Sequence, residues 1–383
     1  MTSLLLIIGI LCLLAAMHPF TTYPLSLLVL QALLSGKTSR KNLMPSVDLG
    51  CAICVCAYNE EHVIESKVHN LLALRERNPG LQILIYVDGS SDRTAEILRP
   101  YSAQLDLHFS AERRGKTYGM NLLAAKATAP ILIFSDANVL MDLDCVADFQ
   151  NHMKDPQIGC VCGNLNYTNN GASVTASSGS LYWRFEEALK RLEMKSGSMM
   201  GADGSVFAIR RSLRRLPPDH IIDDMYVSLM VLCQGYRVIQ AKDARAYEES
   251  VISGHEEFKR KVRIACQAFN VHRLIWPQLR QLDGVSLYKY ISHKLMRWFT
   301  IYFLLFSALA FEAAMVISGF AGLAVALTAG AAALLALGWL GGVKPFAQIS
   351  DVLSAFIGTG LGVWRSLQGE RYQTWTPAAS IRG

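Results

Sequence analysis

Charge is what this chain of 383 residues has least of: Asp, Glu, Lys and Arg make up 18% of it, against 51% hydrophobic residues and a mean hydropathy of +0.25. That scarcity excludes an ordinary soluble protein, in which about a quarter of residues are charged. The net charge of +6 is scattered, and without a dense Lys/Arg stripe a nucleic-acid binder is excluded too. Cys51 and Cys54 have no second C-x-x-C and no His at ligand spacing, and a strand would point the two thiols to opposite faces, so zinc is set aside. The nine cysteines fall in apolar runs such as 51–56 and 160–162, a setting for reduced, buried thiols and not for a secreted disulfide framework. No G-x-G-x-x-G is present, and the stretch ending Gly115-Lys116-Thr117 carries Ser110 where a phosphate loop requires Gly. A dinucleotide enzyme and a triphosphate hydrolase are both disfavoured.

What is abundant is apolar sequence at the two ends. No Asp, Glu, Lys or Arg occurs from Leu4 to Leu34, a length that as one helix would reach about 46 Å, against about 30 Å of hydrocarbon. His18, Pro19 and Pro24 interrupt it, so residues 1–36 read as a membrane anchor kinked at Pro19 and Pro24, followed by Lys37, Arg40 and Lys41. A cleaved signal peptide lacks support, because Met1-Thr2-Ser3 has no basic residue. Residues 298–367 supply two further spans, 298–318 and 322–343, and a third candidate, 346–367, whose start is weakened by Gln348, Ser350 and Asp351. Glu312 lies deep in the first of these and calls for a partner, the simplest being an interhelical hydrogen bond. Residues 271–297 mix basic, aromatic and aliphatic side chains as interfacial helices do. Lys289, Lys294, Arg297 and Lys344 flank the hairpin and place the middle of the chain in the cytosol. Residues 368–383 remain as a tail.

The middle, residues 37–270, alternates short Val/Ile/Leu runs with helical patterns. Strands are expected over 51–57, 81–87, 105–109, 131–134 and 158–162, with helices over 61–74, 92–98, 117–127 and 143–153. This predicts an α/β fold with a mainly parallel sheet covered on both faces, whose ligands bind beyond the carboxyl ends of the strands. Four strand ends carry suitable residues: Ala57-Tyr58-Asn59-Glu60, Asp88-Gly89-Ser90-Ser91-Asp92, Arg113-Arg114-Gly115-Lys116 and Ser135-Asp136-Ala137-Asn138. Asp88 is expected to accept from the N3-H of uracil, and Lys116 to face a pyrophosphate. Asp136 and Asn138, one residue apart, offer oxygen ligands to Mg2+ or Mn2+. Together these features describe a nucleotide-sugar site.

On these motifs the chain resembles membrane-bound family 2 glycosyltransferases of the polysaccharide-synthase kind, over about Cys51 to Phe269. The likeness extends through Tyr182-Trp183-Arg184-Phe185-Glu186, Gly201-Ala202-Asp203-Gly204, Ile222-Asp223-Asp224 and Arg260-Lys261-Val262-Arg263. It implies a GT-A fold (a Rossmann-like mixed sheet), with Asp224, or failing it Asp223, as the base of an inverting transfer. It also implies donor contacts from Ala57, Tyr58, Glu60, Asp88, Lys116, Asp136 and Arg263, and acceptor contacts from Tyr182, Trp183, Gly201 and Asp203. The chain departs from the family's Q-x-x-R-W at Arg260 and Ile264, removing an aromatic floor and with it the usual sign of processivity.

The expected activity is transfer from a UDP-sugar to a lipid-linked or growing glycan acceptor at the cytosolic face of a bacterial cytoplasmic membrane. Membrane lipids, and a separate exporter or flippase, are the expected partners. The alternatives are a ceramide- or diacylglycerol-type glucosyltransferase and a non-catalytic sugar-nucleotide-binding subunit of a synthase.

Overall fold

The computed structural model describes residues 1–34, 49–168, 174–249, 254–343 and 345–374. The flanking residues Lys37, Arg40, Lys41 and Lys344, and residues 375–383 of the expected tail, lie outside these. Eight strands form one sheet: β1 Cys51–Ala57, β2 Gln82–Asp88, β3 Asp106–Ser110, β4 Ile131–Asp136, β5 Leu140–Met141, β6 Ile158–Tyr167, β7 Val206–Arg210 and β8 Arg237–Glu248. Their order is β3-β2-β1-β4-β7-β6-β8-β5. The first four are parallel, whereas β7 runs antiparallel to both β4 and β6. The sheet is therefore mixed: the parallel expectation holds for β1 to β4 and again for β6 with β8, and β7 and the short β5 run antiparallel to their neighbours.

Every residue of β1 is buried, which explains why it reads as an unbroken apolar run with no alternation. Its side chains still alternate between two cores, with Ala52, Cys54 and Cys56 on one face of the sheet and Ile53, Val55 and Ala57 on the other. All nine cysteines are unpaired. Burial pushes the Cys54 thiol up to about 12, so the thiols of these strands are packing groups.

Helices α1 Thr2–Met17 and α2 Thr22–Leu34 precede the sheet. Around it lie α3 Ile64–Arg77, α4 Thr94–Leu98, α5 Lys116–Lys126, α6 Cys145–Met153, α7 Val174–Lys195 and α8 Asp223–Cys233. There follow α9 Gly254–Leu279, α10 Gly284–Tyr290, α11 Met296–Trp298, α12 Thr300–Ile317, α13 Ala321–Gly341 and α14 Phe346–Leu367. Among the described residues four helices are long and apolar enough to cross a membrane: α1 with its following turn, α12, α13 and α14. Ser307 of α12 donates to the Gly9 carbonyl of α1 at 2.9 Å, and Glu312 takes a hydrogen bond from Thr328 of α13. The break in the N-terminal anchor falls at the 3-10 turn His18–Phe20. Pro24, expected to kink the chain, sits in the first turn of α2, where a missing N–H costs nothing.

Within residues 271–297, three basic side chains turn into the protein. Lys289 is fully buried and donates to the carbonyls of Glu193, Ser196 and Ser198 at 3.1, 3.2 and 2.9 Å. His293 lies between Glu193 (Nδ1, 2.7 Å) and Glu186 (Nε2, 2.9 Å), and Arg297 meets Glu186 at 2.6 Å. Tyr23 of the anchor donates to Glu193 at 2.5 Å. Burial works against both carboxylates, but His293 together with Arg297 at Glu186, and with Tyr23 at Glu193, holds them ionised. Lys289 and Arg297 are thus bound inside the protein, and as charges for orienting it across a bilayer they count for less than the sequence implied.

Candidate active site

The site assembles where the parallel strands end. Asn59 turns the chain after β1 with φ of +52°, and its side chain accepts from Ser91 N at 2.9 Å. Glu60 N donates to Thr94 at 2.8 Å, and Glu61 N to Asp92 at 3.0 Å. These bonds stitch the turn after β1 to the turn after β2. Asp88, at the end of β2, accepts from Arg114 N at 2.7 Å and Gly115 N at 2.9 Å, one amide to each oxygen.

The uracil role expected of Asp88 is set beside a different set of partners here. The side chain has no accessible surface, and its acceptors serve the Arg113–Lys116 loop, so Asp88 shapes the pocket from beneath. Ala57 and Glu60 are likewise buried. Of the expected donor contacts, Tyr58, Lys116, Asp136 and Arg263 keep exposed surface. Sequence reasoning gave no separate role to Arg113, whose guanidinium stacks 3.6 Å above the Tyr58 ring, a platform of the kind a planar base would use. The two loop amides that might have cradled a phosphate both point at Asp88, which is the structural reason the stretch 110–117 is no phosphate loop.

Lys116 forms an ion pair with Asp136. Burial works against its ammonium, but Asp136, Asp223 and Asp224 outweigh that and keep it charged. The start of α5 is tied to the start of α8, since Thr117 Oγ1 donates to the Ile221 carbonyl at 2.7 Å. At that helix start Asp223 is buried, while Asp224 retains exposure. Burial, and then the neighbouring charge of Asp223, push the Asp224 carboxyl up to about 7, against the pull of Lys116 and of the Met225 N–H. Gly204 faces this carboxylate so closely that any Cβ there would strike Asp224. Ser228 joins the two segments, taking the Ala202 N–H at 2.9 Å and donating to the Asp224 carbonyl at 2.6 Å.

A residue that sequence reasoning missed is Glu248, at the end of β8. It accepts from Asn138 Nδ2 at 3.0 Å. Burial pushes it up to about 7, with Asp136 and Asp203 adding to the effect and Arg260 opposing it. Arg263 is held down to about 10 by burial and then by Arg260, so α9 presents two guanidinium groups to the Asp136 side of the cleft. No cluster of three or more His, Cys, Asp or Glu side chains suited to a metal occurs among the described residues. One carboxylate (Asp136) and one amide oxygen (Asn138) fit a hard cation that draws most of its ligands from donor phosphates and water.

The expected acceptor residues separate. Trp183 packs edge-on to Tyr167 at 5.5 Å, with the Lys190 ammonium 4.7 Å from its ring, and Lys190 reaches to 3.9 Å from Asp203. Tyr182, about 100° further round the same helix, instead accepts from Arg297 at 3.0 Å and belongs to the membrane-side cluster. Gly201, at φ +97°, is buried against Ser228 and Lys294.

The expected tail also enters the site. Past α14, Gln267 donates to the Tyr372 carbonyl at 2.7 Å, Asn270 to the Glu370 carbonyl at 3.0 Å, and Gln373 to the Arg114 carbonyl at 3.0 Å. The Gln373 carbonyl lies over Gly115, whose φ of +96° and missing Cβ permit the contact.

Residues 52–216 match the family model described as Glycosyl transferase family 2. The poly-β-1,6-N-acetyl-D-glucosamine synthase of Staphylococcus aureus (strain COL) is 28% identical over 196 residues, 49% of this chain and 47% of that protein. Its Staphylococcus epidermidis counterpart is 26% identical over 189 residues, 47% and 45% of the respective chains. The chain spans about half the length of the curated relatives it matches. Among solved structures, a mannosyltransferase from Pyrobaculum calidifontis in complex with GDP-Man and Mn2+ superposes with a TM-score of 0.71 at 21% identity, covering 96% of this chain and 99% of that one. That likeness extends the shared fold to the terminal helices.

Proposed function

We propose, on the premise that residues 52–216 form a family 2 glycosyltransferase domain of GT-A fold, that the protein transfers a sugar from a nucleotide donor with inversion at a membrane surface. The observation that carries this reading is one cleft in which Lys116, paired with Asp136, faces Asp224, a carboxyl whose proton affinity lies near neutrality. A general base is most effective when its pKa is close to the working pH. In the proposed reaction the acceptor hydroxyl attacks C1 of the sugar, its proton passes to Asp224, and the C1–O bond to the nucleoside diphosphate breaks with its electron pair leaving on the phosphate oxygen. Asp223 lies buried beside the base. Lys116 and Arg263 offset the charge that grows on the departing diphosphate.

Asp136 and Asn138 would hold Mg2+ or Mn2+, which when bound supplies further charge neutralisation at the diphosphate. The donor base stacks against the Tyr58–Arg113 pair. The similarity to poly-N-acetylglucosamine synthases supports UDP-N-acetylglucosamine as donor, and a glycan or lipid-linked glycan as acceptor for surface polysaccharide assembly. The helices α1 and α12 to α14 support a membrane location, with the catalytic domain proposed to face the cytosol.

The test is turnover by detergent-purified protein offered UDP-GlcNAc, UDP-Glc and GDP-Man in parallel, with Mn2+ or Mg2+ and extracted lipids. Radiolabel moving from UDP-GlcNAc into polymer or lipid-linked glycan, and absent in Asp224→Asn, supports the reading. Turnover of GDP-Man alone overturns the donor assignment. Label found only in ceramide or diacylglycerol favours the glycolipid alternative.

A further inference from the structure

We propose that Lys67 and Asn70, neighbours on the sheet-facing side of α3, are positioning residues that hold the Asp136–Asn138 turn in its ligand-binding shape. This rests on the donor reading of that turn. Position 67 falls within the apolar stripe by which α3 packs on the sheet, beside Ile64, Val68 and Leu71, all without exposed surface. An ammonium in such a stripe is costly, and a Leu or Met would satisfy the packing alone. The Lys67 side chain is fully buried, and its Nζ donates to Ser135 Oγ at 2.7 Å and to the Val139 carbonyl at 2.5 Å. Those two residues bracket Asp136-Ala137-Asn138.

Asn70, one helical turn on, continues the contact. Its Nδ2 donates to the Met141 carbonyl at 2.7 Å, and its Oδ1 accepts from Met141 N at 3.0 Å. One helix thus grips the backbone from 135 to 141 at both ends of the turn, from the side opposite the cleft. At Ser135 Oγ and the Val139 carbonyl the turn offers acceptors, and only a donor long enough to reach from the helix through the packing layer can serve both. Lys116 meets Asp136 from the cleft and can transfer to a phosphate when donor binds. Lys67 is enclosed and stays, so the carboxylate keeps its aim while its cleft-side partner changes.

The test compares wild type, Lys67→Met, Lys67→Gln, Asn70→Ala and Asp136→Asn as full-length protein in detergent. The readouts are Mn2+ affinity with UDP present (from the electron paramagnetic resonance of free Mn2+), donor KM and kcat, backbone hydrogen exchange over 135–141, and Tm. Outer partners of metal ligands typically change affinity about 10- to 100-fold. Lys67→Met is accordingly expected to weaken Mn2+ binding about tenfold and raise donor KM similarly. It should leave kcat within about threefold and speed exchange at 136–139 in the metal-free protein. Lys67→Gln, which keeps a donor, recovers part of the loss, and Asn70→Ala shows the same pattern at smaller size. If Lys67→Met does not fold, those two variants decide the matter.

A lowered Tm with Mn2+ affinity, donor KM and local exchange unchanged makes Lys67 a packing residue and overturns the proposal. Tighter Mn2+ binding in Lys67→Met overturns it as well, because the charge and not the position would then be what matters. Wild-type protein that binds no Mn2+ and turns over no nucleotide sugar overturns the functional reading, and this proposal with it. Active wild type with variants indistinguishable from it overturns this proposal alone.

Discussion

The half of the sheet carrying β1 to β4 and the half facing the membrane helices use the same charged residue types in opposite ways. Beside β4, Lys116 and Asp136 are paired but partly exposed, in a cleft where Asp224 and Arg263 also keep open surface. Around α7, Glu186, Glu193, His293 and Lys289 are buried, each held at short range by partners inside the protein. Charges in the first region can change partners during a reaction. Charges in the second are fixed, and removing one leaves another buried and unpaired. The difference teaches that burial together with partner exposure, and not residue type, separates chemistry from architecture here.

Substitutions can break this comparison or sharpen it. The largest effect is expected from Asp224→Asn, which removes the proposed base and lowers kcat by about 10²- to 10⁴-fold, measured as label transfer. Its Tm is expected to stay level or rise. Next, Lys116→Ala should raise donor KM at least about tenfold, the loss of one charge-assisted contact, with little change in folding. On the other side of the molecule, Glu193→Gln should leave donor KM unchanged but cost about 3–5 kcal/mol of stability by removing the carboxylate that faces His293 Nδ1 and Tyr23, read by denaturant melts. A kinetic change in Glu193→Gln, or a purely thermal one in Lys116→Ala, would erase the distinction between the halves.

The pH profile is a finer probe. Asp224 must be ionised to accept a proton, so kcat/KM is expected to rise with pH and level off above about 7. Stability runs the other way: a carboxyl whose folded pKa lies above its unfolded value contributes stability fully present below the unfolded value of 3.8, and that contribution is lost as pH rises through about 7. Asp224→Asn should therefore gain in Tm over wild type at pH 8 and show little gain at pH 5. The smallest effect is expected from Tyr182→Phe, which removes one hydrogen bond to Arg297 and should leave transfer rates within about twofold, losing at most about 1 kcal/mol.

Much of the first region was legible in the sequence because its elements are local and regular. An unbroken apolar run such as 51–57, followed by polar residues, marks both a buried strand and its ligand-side end. Asp88 shows the limit of that reading. Its position at a strand end was visible, but that the amides of Arg114 and Gly115 would claim its carboxylate depends on a loop 26 residues away folding over it. Glu248 was illegible for a related reason: it approaches Asn138 only because β8 pairs with the short β5, setting Tyr247 opposite Leu140. Lys289 and Arg297 read as bilayer-surface residues because their counter-charges, Glu186 and Glu193, lie about a hundred residues earlier.

The hydrogen bond from Gln373 to the Arg114 carbonyl carries a practical meaning for anyone handling the protein. The chain that returns from α14 lies at Gln373 against Gly115, so a truncation ahead of that residue would uncover the loop that carries Lys116.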